Sequence, residues 1–158
     1  MLTSKLTLGL AILLSGIFYF PNPTQALNLV HDQESDYLAV AKVYQEKTPL
    51  AKSMAKGKEV YADFCMQCHL VNGKGDSKNF PPLDGSDWLI KKETQSIHAV
   101  KYGQKGEILV NGKKFNNVMP PMGLSNQEVA DVMNYIRNSW TNKNSKMITL
   151  EQVEAVKQ

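Results

Sequence analysis

One short motif constrains this chain more than any other feature: Cys65-Met66-Gln67-Cys68-His69. It has the pattern C-x-x-C-H, which is typical of covalent attachment of a c-type haem. The two thiols lie one helical turn apart, where they can form thioethers with the two vinyl groups of one porphyrin. His69 follows them in a position to bind the haem iron as an axial ligand. We therefore predict one covalently bound haem c with iron.

Three other uses of the motif lack something that they need. Both cysteines of the chain lie within it, so there is no disulfide framework to build. A zinc site needs about four ligands, and only His31 or His98 could join the cysteines and histidine of the motif. A thioredoxin-like dithiol follows a strand in a β-α-β unit, whereas the residues before Cys65 have a helical pattern. The haem interpretation is therefore favoured.

The beginning of the chain is typical of an export signal. Lys5 precedes an apolar run over residues 6–20, and residues 24–26 read Thr-Gln-Ala, a small-residue cleavage site. The run is shorter than the roughly 20 residues that a membrane-spanning helix needs. We expect cleavage after Ala26, with a retained membrane anchor as the alternative.

The composition by itself excludes few functions, but the net charge is relevant to the kind of partner that the chain binds. The chain has 158 residues, which suits one domain with extensions, and it is 42% hydrophobic and 21% charged. Its formal net charge of +3 becomes +2 without residues 1–26, because only Lys5 is lost. A nucleic-acid partner would require a basic patch or stripe. We predict none.

Helix signals lie on both sides of the motif. Thr48 and Pro49 predict the start of a helix that runs toward Cys65. Gly57 lies inside that helix, where glycine costs about 1 kcal/mol relative to alanine. Its presence indicates either a close crossing with another element or an incidental glycine near a frayed end.

The second half of the chain has two capping boxes. Ser125 and Glu128 have the S-x-x-E spacing and open an amphipathic pattern that continues to about Ser139. Thr149 and Gln152 repeat the spacing and predict a short terminal helix. Between the motif and these helices we expect a long loop over residues 70–87, one or two short helices over 88–102 ending at Gly103, and a small hairpin at residues 111–112.

The occupant of the second axial position of the iron decides whether a haem protein transfers electrons or binds external ligands. Residues 118–123 read Val-Met-Pro-Pro-Met-Gly and offer two thioethers, Met119 and Met122. We choose Met119 as the ligand, because the prolines that follow it restrict the backbone and can hold it in an extended conformation as it approaches the iron. The other methionines are assigned to packing.

Taken together, four segments resemble those of a class I c-type cytochrome, most of all an exported bacterial monohaem cytochrome c domain. They are the C-x-x-C-H helix, Phe80-Pro81-Pro82-Leu83, Val118-Met119-Pro120 and Tyr135-Ile136-Arg137-Asn138-Ser139-Trp140. The resemblance covers about residues 49–142. It implies an all-α, cytochrome c-like fold, with three to five helices wrapped around one covalent haem and long loops. The implied organisation is a signal peptide (1–26), an N-terminal extension (27–48), the cytochrome c domain (49–142) and a C-terminal tail with a short helix (143–158).

The resemblance also implies roles for individual residues. The carbonyl of Pro81 would accept a hydrogen bond from Nδ1–H of His69, and Leu83 would pack on the proximal haem face. Gly57 and Tyr61 would cross the last helix near Val132 and Tyr135. Trp88 is assigned either to the haem edge or to the core, and His98 matches no ligand position.

The function implied is that of a single-electron carrier in the periplasm or otherwise exported, with His69 and Met119 as axial ligands, and not an enzyme in itself. Its partners would be redox proteins: a dehydrogenase, reductase or oxidase. Two alternatives stay open. The first alternative to the single-electron carrier is a cytochrome subunit of a dehydrogenase or reductase complex, and the second is a haem sensor or enzyme with an open distal site. A membrane contact is expected only if the N-terminal segment is retained.

Overall fold

A computed structural model of the protein describes residues 48–158. The predicted signal peptide and nearly all of the predicted N-terminal extension lie outside the described residues. The helices are α1 (Pro49–Val60), a π-helical turn (Tyr61–Cys65), α2 (Met66–His69), α3 (Asp87–Lys91), α4 (Glu93–Tyr102), α5 (Asn126–Ile136) and α6 (Leu150–Ala155), with strands β1 (Ile108–Val110) and β2 (Lys113–Phe115) between α4 and α5. The described part is mainly helical, so the all-α prediction is confirmed.

Helices α1 and α5 cross closely at Gly57. A Cβ atom at this position would lie 1.9 Å from the carbonyl oxygen of Asp131 and 2.9 Å from Cβ of Tyr135, so only glycine fits. The crossing is also polar, because Ser53 donates a hydrogen bond to the buried carboxylate of Asp131. The predicted close crossing near Tyr135 is confirmed, and it accounts for a glycine that the helix itself disfavours.

The helix that leads to the motif changes from α-helical to π-helical geometry as it reaches the first cysteine. The α-helical part ends at Val60, and residues 61–65 form a π-helical turn in which Met66 N–H bonds to the carbonyl of Tyr61. The hydroxyl of Tyr61 reaches forward to the carbonyl of Leu70, 2.6 Å away. Such turns insert one extra residue and are frequent at functional sites. Helical periodicity alone predicted one continuous helix here and missed this change.

Helix α5 begins as predicted and ends earlier. Its capping box is complete, since the Ser125 hydroxyl accepts from Glu128 N–H while the Glu128 carboxylate accepts from Ser125 N–H. The helix stops at Ile136 rather than near Ser139. Beyond it, Asn138 N–H bonds to the carbonyl of Tyr135 instead of an i−4 partner, and the Asn142 side chain donates to the carbonyl of Ile136, which has no partner within the helix.

The residues after position 142 pack into the core. Ile148 and Val153 are fully buried, and Val156 is nearly so. The side chain of Asn134 donates to the carbonyl of Ile148 and accepts from its N–H, at 2.9 and 2.7 Å. Helix α6 starts with the predicted capping box at Thr149. The C-terminal residues therefore share one hydrophobic core with α5.

The middle of the chain contains the short helices and the hairpin that the sequence predicted. Helix α4 ends at Gly103, which has a φ of 85°. Strands β1 and β2 pair antiparallel around Asn111 and Gly112, whose φ angles of 51° and 77° are those of a type I′ turn. Asn111 also exchanges two hydrogen bonds with Asp87, which ties the turn to the start of α3. Between residues 48 and 158, no helix is long and apolar enough to cross a membrane.

Candidate haem site

A cleft with about 1120 Å³ of space, its open mouth included, lies beside the C-x-x-C-H motif. It is lined by every site residue that the sequence predicted: Cys65, Cys68, His69, Pro81, Leu83 and Met119. Most other lining side chains are aliphatic, aromatic or proline, and no Asp, Glu, Lys or Arg is among them. Such a cleft suits a large, flat and mainly apolar group.

His69 is held in one orientation. The residue is 8% exposed, and its Nδ1 atom lies 3.0 Å from the carbonyl oxygen of Pro81. Because that carbonyl can only accept, Nδ1 carries the proton and Nε2 is left with a free lone pair for a metal. Burial lowers the pKa of His69 below its usual value, although the bond to Pro81 opposes this. The neutral imidazole that iron requires is therefore favoured.

The two cysteines are not joined by a disulfide. Burial, and next the nearby Cys68 thiol, raise the pKa of Cys65 to about 11. Reactive dithiols have the opposite property, a thiolate stabilised near neutral pH. Within residues 48–158, no group of three or more His, Cys, Asp or Glu side chains could hold a metal ion by itself. His31 lies outside the described residues, and His98 packs against Tyr102.

The loop after the motif brings Pro81 to His69. Gly75 N–H donates to the carbonyl of His69, and a Cβ on Gly75 would lie 2.1 Å from the carbonyl oxygen of Phe80 and 2.9 Å from that of Pro81. The Asp76 carboxylate accepts from the N–H of Phe80, which tightens the same turn. The sequence predicted only that Gly75 lies within the long loop over residues 70–87. Its φ of 60° and the close approach of two carbonyls become visible only in the fold.

Met119 is fixed through its backbone. Its N–H donates to the carbonyl of Gln104 at 3.0 Å, and its carbonyl accepts from Gln104 N–H at 2.8 Å. The side chain is half-buried and lines the cleft, as does that of Met122. Sequence reasoning missed Gln104, because a pairing between two isolated residues in loops leaves no periodic signal. Trp88, which was assigned to the haem edge or to the core, also lines the cleft.

The site therefore has the parts that a covalent haem needs: two thiols at the correct spacing, a buried imidazole with a free Nε2, apolar walls and an accessible thioether. A mainly helical fold with such a site defines a protein that carries a covalent c-type haem. A cytochrome c family model matches residues 54–140, more than half of the chain, and the chain belongs to the cytochrome c family. Its cofactor is a covalent haem c, with which the motif at Cys65, Cys68 and His69 is consistent.

Individual relatives fall into two groups. Cytochrome c-552 of Thermus thermophilus is 36% identical over 117 residues, which cover 68% of this chain and 78% of that protein. The cytochrome c subunit of the quinone alcohol dehydrogenase of Gluconobacter oxydans is 28% identical over 115 residues, 64% of this chain and 22% of that subunit. The cbb3-type cytochrome c oxidase subunit FixP of Bradyrhizobium diazoefficiens is 32% identical over 109 residues, 63% and 35% respectively. The chain is thus a cytochrome c electron-transfer domain, similar both to a separate cytochrome and to parts of larger subunits.

Proposed function

We propose that this protein is an exported single-electron carrier whose haem iron is bound by His69 and Met119. The observation that carries the proposal is that the two side chains line the same cleft as both cysteines. Both are held by neighbouring backbone atoms, His69 by the carbonyl of Pro81 and Met119 by its backbone pairing with Gln104. Two neutral ligands fixed in advance limit the rearrangement that accompanies a change of iron charge.

The haem supplies the Fe(III)/Fe(II) couple, and the chain adjusts it. The polarizable sulfur of Met119 favours the reduced iron and raises the potential. The hydrogen bond from His69 to Pro81 makes the imidazole a stronger electron donor to the iron, and this lowers the potential. The apolar walls keep water and charged groups away from the iron.

Residues 1–26 support a location outside the cytoplasmic membrane, in the periplasm or beyond, with a retained N-terminal anchor as the alternative. There the partners would be redox proteins, namely a dehydrogenase, reductase or oxidase, that dock weakly over a small interface. The similarity to dehydrogenase and oxidase subunits supports a second candidate, a fixed subunit of such a complex. Purification from membranes without crosslinking separates the two, since only a subunit should stay with its complex.

The ligand assignment is tested with the exported protein. Mass spectrometry should show one added haem, and a chain without it would contradict the whole proposal. The ferric form should have the Met–iron charge-transfer band, and the ferrous form should bind CO slowly. Rapid CO binding without that band would instead indicate the remaining alternative, a haem sensor or enzyme with an open distal site.

A pair of variants identifies the methionine. Met119→Ala should abolish six-coordination and leave the haem attached, while Met122→Ala, which changes the same cleft, should leave the band in place. The reverse result would assign the ligand to Met122.

A further inference from the structure

The end of helix α4 lies directly against the backbone of Met119. Helix α4 stops at Gly103, and the next residue, Gln104, makes both of the antiparallel hydrogen bonds to Met119. These bonds form the isolated bridge between residues 104 and 119. A ligand with only two backbone bonds would move easily unless the element that holds it is itself rigid.

Gly103 permits this contact through two properties of glycine. Its φ of 85° turns the chain out of α4 toward the bridge, in a region that side chains rarely adopt. A Cβ at this position would lie 2.6 Å from the carbonyl oxygen of Met119 and 3.0 Å from the nitrogen of Pro121. Both of these are backbone atoms, so any side chain at position 103 must push the segment around Met119 outward.

The two residues before Gly103 are anchored to the C-terminal part of the chain. The ammonium of Lys101 donates to the carbonyls of Val153 and Val156, at 2.9 and 3.1 Å, and the hydroxyl of Tyr102 donates to the carbonyl of Val156. Since Val153 belongs to the hydrophobic core, the end of α4 has a fixed support. Through Gly103 and Gln104, this fixed end of α4 holds the backbone of Met119 in place.

We propose that Gly103 is a positioning residue for the axial ligand: by lacking a side chain it lets the end of α4 clamp the Met119 backbone and suppresses dissociation of the thioether. This inference rests on the proposed ligation by His69 and Met119. An added ligand such as imidazole binds ferric iron only while the thioether is away, so its apparent affinity is proportional to the fraction of molecules in which the sixth position is open.

The test compares two glycines in the same segment of the holoprotein. Gly103→Ala and Gly106→Ala both place alanine at a positive φ, but a Cβ on Gly106 has nothing within 4 Å. We expect Gly103→Ala to raise the apparent affinity for imidazole about tenfold or more and to weaken the Met–iron band, with Gly106→Ala close to the wild type. Equal affinities in the two variants would overturn the inference.

Two further measurements test the role of Gly103 without relying on the folding of Gly103→Ala and separate it from the ligand assignment. In the wild type, saturating imidazole should accelerate hydrogen exchange at Gln104 N–H and leave the Arg137 amide unchanged, because ligation and clamp stabilise each other. This measurement uses only the wild type, so it can be made even if Gly103→Ala fails to fold. An unchanged exchange rate at Gln104 N–H would contradict the proposal that the end of α4 holds the Met119 backbone. Met119→Ala separates the two proposals: if it keeps the Met–iron band, the ligand assignment fails, whatever Gly103 does.

Discussion

The Nδ1 atom of His69 lies 3.0 Å from the carbonyl oxygen of Pro81, twelve residues further along the chain. This contact depends on Gly75, which leaves room for the carbonyls of Phe80 and Pro81. The orientation of the predicted proximal ligand is therefore set by a glycine that binds neither haem nor iron.

Substitution of Gly75 tests this dependence. Gly75→Ala should displace the Pro81 carbonyl and remove the hydrogen bond that favours the ferric state. A bond worth about 1 kcal/mol corresponds to a rise of about 40 mV in a one-electron midpoint potential. Redox titration measures the shift. The control is Gly123→Ala, which also has a positive φ but nothing within 4 Å of its Cβ; a similar shift in both would refute the explanation.

The crossing of α1 and α5 predicts a large loss of stability in Gly57→Ala. The new Cβ would meet the carbonyl of Asp131 at 1.9 Å, and two helix backbones would have to separate. Alanine should favour the isolated helix by about 1 kcal/mol, yet we expect a net loss of about 3 kcal/mol. Chemical denaturation measures it. Lys56→Ala, on the exposed side of α1, should stay within about 0.5 kcal/mol of the wild type.

The buried amide of Asn134 predicts that the C-terminal residues contribute to the stability of the whole domain. Asn134→Ala would leave the N–H and carbonyl of Ile148 buried without a side-chain partner. Unpaired buried groups cost about 1–3 kcal/mol each, so for these two groups we expect the free energy of unfolding to fall by about 2–6 kcal/mol. Asn116→Ala, at an exposed position, is the control. If both variants unfold at the same denaturant concentration, the network contributes nothing.

An acidic pH should weaken the attachment of the C-terminal residues at Glu93, whose carboxylate accepts hydrogen bonds from the side chains of Lys146 and Gln152 at 3.5 and 3.3 Å. Burial tends to raise the pKa of Glu93, but the hydrogen bond and charge of Arg137 outweigh it, and the pKa is lowered. A carboxylate with a lowered pKa in the fold stabilises it above the unfolded value of roughly 4.3, and this contribution is lost as the pH falls through the lower folded value.

Unfolding free energies of wild type and Glu93→Gln, measured between neutral and acidic pH, check this expectation. The wild type should be the more stable near neutrality, and the difference should shrink below a pH of about 4. Glu59→Gln, at an exposed position of α1, serves as the matched control. A difference between wild type and Glu93→Gln that stays constant with pH would show that Glu93 acts through packing and not through its charge.

The sequence by itself determined the parts of this protein that depend on neighbouring residues. The spacing of Cys65, Cys68 and His69 predicts the cofactor, because both thioethers and one ligand come from a single turn of helix. The capping boxes at Ser125 and Thr149 predict where two helices begin, because each cap is completed within four residues. The turn at Asn111 is equally local, since it depends on two residues with positive φ.

Only the tertiary structure decided the contacts between distant segments. Gly75 and Gly103 have no pattern that separates them from other loop glycines, and their roles depend on carbonyls that the fold brings within 3 Å of a missing Cβ. The pairing of Gln104 with Met119 and the burial of Ile148 arise in the same way. Hydrogen-bond distances and steric exclusion act between neighbours in space, and a one-dimensional pattern does not contain those neighbours.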